Sequence, residues 1–152
     1  IFRNGYLFTV DVWKSGSIML KISDDGKSYT EVWRNLQFDP QQGDVIVLGD
    51  RMYGSGNDGK KIMCVDWNTG KEMYSDSVRS ELINMISAEN LLYSYELRGD
   101  FKLLKPTENG FEKLGSFKIK GGTNLHCSHP VIKNKKLYVR HDNSLFVYDI
   151  AK

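Results

Sequence analysis

One short phrase recurs four times without a gap, at residues 1–8, 46–53, 86–93 and 131–138. An aliphatic residue opens each copy (Ile1, Ile46, Ile86, Val131) and an aromatic closes it (Phe8, Tyr53, Tyr93, Tyr138). The closing aromatics lie 45, 40 and 45 residues apart. A period in this range, built of short strands, is the signature of a β-propeller blade. The expected fold is an all-β β-propeller with four blades of four-stranded antiparallel sheet in one partial domain over residues 1–152. Its approximate blades are 1–38, 39–78, 79–121 and 122–152.

The internal grammar of a unit is clearest from Val45 onward. Val45 to Leu48 forms an apolar run closed by Gly49-Asp50, and Arg51 to Ser55 runs to a Gly56-Asn57-Asp58-Gly59 turn. Lys61 to Asp66 gives a third strand, which Asn68-Thr69-Gly70-Lys71 reverses into Glu72 to Ser75. Hairpins of this kind are specified by Gly, Asn and Asp between β-prone runs. The one competitor to an all-β reading is Ser80 to Asn90, where Glu81 to Ile86 has the length of a helical turn; the repeat assigns Leu82 to Ala88 to an inner strand.

Composition sets limits on function. A formal net charge of +2, with basic residues scattered among the turns, argues against a dedicated nucleic-acid surface. The densest run, Lys133 to Lys136, reads as a solvated hairpin. There is no stretch of 18 apolar residues, so no membrane-spanning helix is expected.

The alignment of the four copies places Ile1 inside an innermost strand and ends the fourth unit after its third strand. The expectation is therefore a chain cut at its N-terminus, forming half of a roughly eight-bladed ring. The alternative is a four-bladed closure. Open half-rings would expose apolar blade faces and are expected to self-associate.

Candidate site residues follow from topology. In a propeller the segment leading into each innermost strand and the turn between the second and third strands emerge on one side, around the channel mouth. That gathers Gln41 and Gln42, His126 and His129 from lead-in segments, with Trp13, Arg98 and His141 from or near turns. Indole, imidazole, amide and guanidinium groups around a mouth suit a polyol, sugar or peptide. The His126-Cys127-Ser128-His129 string holds three metal-binding side chains, but a closed tetrahedral site draws on four, and the sole further histidine is His141. His129 is read instead as hydrogen-bonding the loop ahead of Pro130, and Cys127 as a half-buried small residue. Cys64 belongs to a third strand and Cys127 to a lead-in segment, so the separation of about 7 Å or less that a disulfide requires is not expected.

Within the repeat, Asp66 and Thr69 can satisfy backbone groups at a turn, Gly70 permits a positive φ, and Tyr74 can pack across to a neighbouring blade. Val65-Asp66-Trp67-Asn68-Thr69-Gly70-Lys71-Glu72-Met73-Tyr74 resembles the repeat of pyrroloquinoline-quinone (PQQ)-type propellers, with Val65 where Ala is usual and Tyr74 where Trp is usual. Leu20 to Lys27 is a looser copy, and Phe146 to Asp149 a truncated one. Met52 to Gly56, Phe117 to Ile119, Ser128 to Ile132 and Leu137 to His141 extend the resemblance to the C-terminal half of bacterial PQQ-binding-like propellers, of polyvinyl-alcohol-dehydrogenase-like or outer-membrane assembly-factor-like type. The resemblance implies an extracytoplasmic location, periplasmic or outer-membrane associated. It implies either of two functions: a non-catalytic propeller presenting its mouth face to a protein or glycan, or a fragment of a PQQ-dependent alcohol or sugar dehydrogenase. PQQ and calcium would then belong to the intact chain, since the adjacent-cysteine ring and Trp-flanked acidic cluster of that class are not found in these residues.

Overall fold

A computed structural model of the chain describes residues 1–11, 15–40, 44–56, 58–78 and 83–151. The first sheet comprises β1 (Phe2–Arg3), β2 (Tyr6–Asp11), β3 (Gly16–Ile22) and β4 (Tyr29–Asn35). The second holds β5 (Ile46–Leu48), β6 (Arg51–Gly56), β7 (Lys61–Asp66) and β8 (Glu72–Ser77). The third holds β9 (Ile83–Ala88), β10 (Leu91–Glu96), β11 (Asp100–Pro106) and β12 (Phe111–Lys118). The fourth has three strands, β13 (Val131–Lys133), β14 (Lys136–His141) and β15 (Ser144–Asp149). Each sheet is an antiparallel meander in chain order, the blade topology of a β-propeller. Of the inner strand expected over Leu82 to Ala88, Leu82 lies outside the described residues and Ile83–Ala88 is strand, with Ile83 and Met85 packed toward the second blade and Ile86 toward the fourth.

The recurring phrase has a simple geometric meaning. Its first and last residues face each other across the hairpin of the two inner strands: Ile46 with Tyr53, Ile86 with Tyr93, and Val131 with Tyr138. Ile1 and Phe8 exchange backbone hydrogen bonds of 2.9 and 2.8 Å in the same relation. The connecting turns take the mirror-image forms that suit twisted hairpins. Asn4-Gly5, Glu89-Asn90 and Asn134-Lys135 have positive φ at both central residues, whereas the second blade places Gly49 alone at positive φ.

A second regularity is not visible in the phrase. In all three four-stranded blades the register between third and fourth strands slips by one residue, at Met19/Leu20, Cys64/Val65 and Leu103/Leu104. A bulge of this kind increases local twist and re-aims the side chain beside it. The outer-strand residues at these bulges are Trp33, Tyr74 and Gly115.

The core lies between the blades. Along β6 and β7 the side chains alternate: Met52, Met63 and Val65 join Phe8, Met19 and Trp33 of the first blade, while Tyr53, Ile62 and Cys64 join Ile83, Met85 and Leu92 of the third. Alternation by two is what a strand buried on both faces demands. Tyr95, Phe101 and Ile119 meet Leu137 and Val139 of the fourth blade in the same way. Complete burial of side chains such as Met52 and Leu92 stabilises by about 1.5–3 kcal/mol each.

The bulge aromatics lock adjacent blades. Trp33 donates its indole N–H to the carbonyl of Trp67 at 3.0 Å, and Tyr74 donates its hydroxyl to the carbonyl of Thr107 at 3.0 Å. Both acceptors belong to the residue immediately after the third strand of the next blade. Gly70, at φ 69°, lies flat against the Trp33 ring, where any Cβ would overlap it. Asp66 closes the same turn by accepting from the Thr69 hydroxyl and from the backbone N–H groups of Asn68 and Thr69. Arg3 and Arg51 reinforce this end of the blades by donating to the carbonyls of Gly49 and Thr107.

Candidate functional site at the channel mouth

Antiparallel order puts the lead-in segments and the turns between second and third strands at one end of the sheets. Hydrogen bonds across that end tie the blades together. Asp39, buried ahead of the second blade, accepts from the Asp58 N–H at 3.3 Å. Asp44, just before β5, accepts at Oδ2 from the Met85 N–H of β9 at 3.2 Å and pairs with His129 Nδ1 at 2.8 Å. One carboxylate thus joins the second, third and fourth blades. Next to it, Asn84 donates Nδ2 to the Ser128 carbonyl at 3.3 Å, while its Oδ1 is buried and has no partner among the described residues.

The fourth blade adds an open cavity of about 270 Å³ lined by Leu125, Cys127, Ser128, Arg140, His141 and Asp142. Asp142 organises its rim, accepting from the Thr123 N–H at 2.9 Å and from Asn124 Nδ2 at 2.8 Å. Those two bonds, the Asn124 bond first, hold its carboxyl below the usual carboxylate range. Ser128 donates its hydroxyl to the Arg140 carbonyl and fixes the far wall.

The candidate residues separate into groups. Trp13, Gln41 and Gln42 lie outside the described residues. Arg98 is exposed in the turn after β10. His129 is exposed at the mouth, but its partner is Asp44 and not its own loop ahead of Pro130, because its ring reaches the carboxylate 2.8 Å away. His126 and His141 are buried, 7% and 5% exposed, with rings stacked at 3.5 Å and 12°. They seal the junction of the third and fourth blades, which withdraws them from the surface that sequence reasoning assigned them. Tyr95, wholly buried in β10, hydrogen-bonds His126 Nδ1 through its hydroxyl. Burial pulls the His126 imidazole below its ordinary value, with the stacked His141 adding to the shift. Burial likewise pushes the Tyr95 hydroxyl up to about 12.

Cys127 is exposed and not half-buried, since the lead-in segment turns its side chain outward; Cys64 is buried, and both thiols are free. Burial raises the Cys64 thiol above its usual range, which suits an inert core residue. Sequence reasoning did not single out Asn84, although a polar residue inside the Ile83 to Ile86 run was its available signal. It also passed over Trp33, whose role depends on the bulge.

Calcium takes six to eight oxygen ligands. Among the described residues no group of three or more His, Cys, Asp or Glu side chains could hold a metal ion. The mouth carboxylates Asp44 and Asp142 are each committed to neighbouring N–H groups. The described residues therefore do not fit a quinone-type calcium centre. Among them no helix is long and apolar enough to cross a membrane.

No protein-family model and no curated protein matches the sequence. Solved structures do match in fold. BamB from Moraxella catarrhalis superposes with a TM-score of 0.65 at 14% identity, over 90% of this chain and 41% of that one. The computationally designed Ika8 protein gives 0.70 at 12% identity, over 99% of this chain and 44% of its own. A europium-containing methanol dehydrogenase gives 0.54 at 10% identity, over 78% and 24%. The chain spans less than half the length of each. At these identities the likeness shows the β-propeller fold alone, with BamB and a dehydrogenase both among the structures that share it.

Proposed function

We propose that this chain is a non-catalytic propeller segment whose mouth face receives a protein or glycan ligand outside the cytoplasm. The observation that carries the reading is the Asp44 carboxylate, which draws His129 and the Met85 N–H from two other blades into one surface. Groups held in this way form a pre-ordered platform, which lowers the entropy lost on binding. Around it the exposed Arg98, His129, Arg140 and Cys127 supply donors suited to polar ligands, beside the exposed Leu125. The likeness to BamB adds a protein partner as the first class to test.

Crosslinking of the intact protein in a bacterial envelope fraction, beside a glycan array, tests this reading with wild type and Arg140→Ala. Capture of a discrete ligand by wild type, at least several-fold weakened by the substitution, supports it. The competing reading, oxidation of an alcohol or sugar, is tested by adding PQQ with calcium. Saturable quinone absorbance together with alcohol-dependent dye reduction overturns the non-catalytic assignment.

A further inference from the structure

We propose that the stacked His126–His141 pair is an acid-sensitive latch between the third and fourth blades. Uncharged, the rings hold the 119–130 segment against the third blade; doubly protonated, they release it. The geometry leaves little tolerance. The rings lie nearly parallel at 3.5 Å, and both are buried. Glycine is required on either side: a Cβ at Gly99 would crowd His126 at 2.9 Å, and one at Gly122 would overlap His141. The two glycine backbones therefore leave the rings no room to move apart without the segment moving.

The hydrogen bonds around the pair favour the neutral rings. The bond between Tyr95 and His126 Nδ1 uses one hydrogen, and neutral imidazole offers one donor and one acceptor nitrogen. Protonated His126 must donate at Nδ1, which forces the buried tyrosine hydroxyl to find another acceptor. His141 Nε2 is buried with no hydrogen-bond partner among the described residues, and Asp142 Oδ2 stands 3.8 Å away. One proton on the pair can be balanced by that carboxylate; two place like charges face to face at stacking distance.

The charged groups facing the pair come from every packed element. Asp100 at the start of β11 and Asp142 after β14 favour a charge on His126, while Lys118 at the end of β12 and His141 itself oppose it. Glu96, buried at the end of β10, is paired to Lys102. Tyr148 of β15 and Cys127 border Tyr95. What the pair secures is also clear: the His126 N–H donates to the Leu97 carbonyl at 3.0 Å and the Ile119 N–H to the Gly99 carbonyl at 2.9 Å. With the Asn84–Ser128 bond, these tie the 119–130 segment to the third blade. A histidine depressed in the folded state contributes stability that is present above the ordinary imidazole value of about 6.5 and lost as pH falls toward the folded value.

The test is an NMR titration of the wild-type protein from about pH 8 to about pH 5, the range in which histidine charge changes. The ring signals of His126 and His141 and the amides of Gly99, Ile119 and His126 are followed together. The expected result is a reversible loss of the native amide signals as the second ring charges, while those of Met52 and Met63 persist. The His141→Phe variant, which keeps a stacked ring without its charge, is expected to shift that loss by about one pH unit or more toward acid. Native amide signals unchanged through the titration overturn the latch, as does a His141→Phe transition identical to wild type. Should His141→Phe fail to fold, the wild-type titration decides alone.

Discussion

Asp44 and His129 are 85 residues apart in the chain and 2.8 Å apart at the mouth of the propeller. The same Asp44 oxygen accepts the Met85 N–H, so the carboxylate is shared between an exposed side chain and the backbone of an inner strand. The two partners should not be equivalent in energy. Asp44→Ala strands a part-buried N–H and is expected to destabilise by about 1–3 kcal/mol. His129→Ala removes an exposed contact and is expected to cost about 0–1 kcal/mol. Urea unfolding of both variants checks the ranking; equal losses would mean that the Met85 bond carries nothing.

The lock between the first two blades can be separated into its polar and steric parts. Trp33→Phe keeps a ring but leaves the Trp67 carbonyl without its donor, at about 1 kcal/mol. Gly70→Ala places a methyl group on the Trp33 ring and strains a backbone at positive φ, at about 1–3 kcal/mol. Both are measured as shifts in denaturant midpoint at constant slope. A neutral Gly70→Ala would show that the ring is not seated on this turn in solution.

Gly115 stands where the first and second blades have Trp33 and Tyr74. No atom lies within 4 Å of the place where its Cβ would be. Gly115→Tyr is therefore expected to extend the pattern to the last junction and stabilise by about 0.5–2 kcal/mol. A calorimetric midpoint unchanged or lowered would refute the equivalence of the three bulge positions.

Alkaline titration should expose the buried phenol of Tyr95. With its value pushed up to about 12, it contributes stability that is fully present below the unfolded value of about 10 and lost as pH rises between the two. Tyr74 is displaced in the same direction by burial. Phenolate absorbance is expected to lag in the native protein, and Tyr95→Phe to flatten the loss of stability in this window. An identical slope in the variant would exclude Tyr95 as its source.

The two thiols give a simple check on burial. Exposed Cys127 is expected to react with a maleimide in the native protein, and Cys64 only after unfolding. Mass spectrometry reads the two labels directly. Rapid native labelling of Cys64 would contradict its place in the core between the second and third blades.

Strand order was legible in the amino-acid sequence because each inner hairpin joins residues seven apart through a two-residue turn, so phrase and pairing share one register. The turn chemistry of Asp66, Thr69 and Gly70 was legible for the same reason: its partners lie within four residues. The blade locks were less so. Trp33 meets a carbonyl 34 residues away only because a bulge re-aims it, and no local pattern records a bulge. At the mouth, the string His126 to His129 looked like a single cluster. In the fold it divides, with His126 stacked inward on His141 and His129 reaching outward to Asp44. Alternation along an extended segment sends neighbours in opposite directions, and proximity in sequence then misleads.

The absence of a side chain at Gly115 gives the molecule an order of failure. The first and second blades each grip the next through a ring and a hydrogen bond, as a row of clasps would. The third has no such clasp at its bulge and relies on the core of Tyr95, Phe101, Leu137 and Val139, the Phe117–Tyr148 contact at 4.7 Å and the buried histidines. Because each blade touches chiefly its neighbours, damage need not spread. Under heat, acid or a mechanical pull, the fourth blade should peel away first and leave the other three joined.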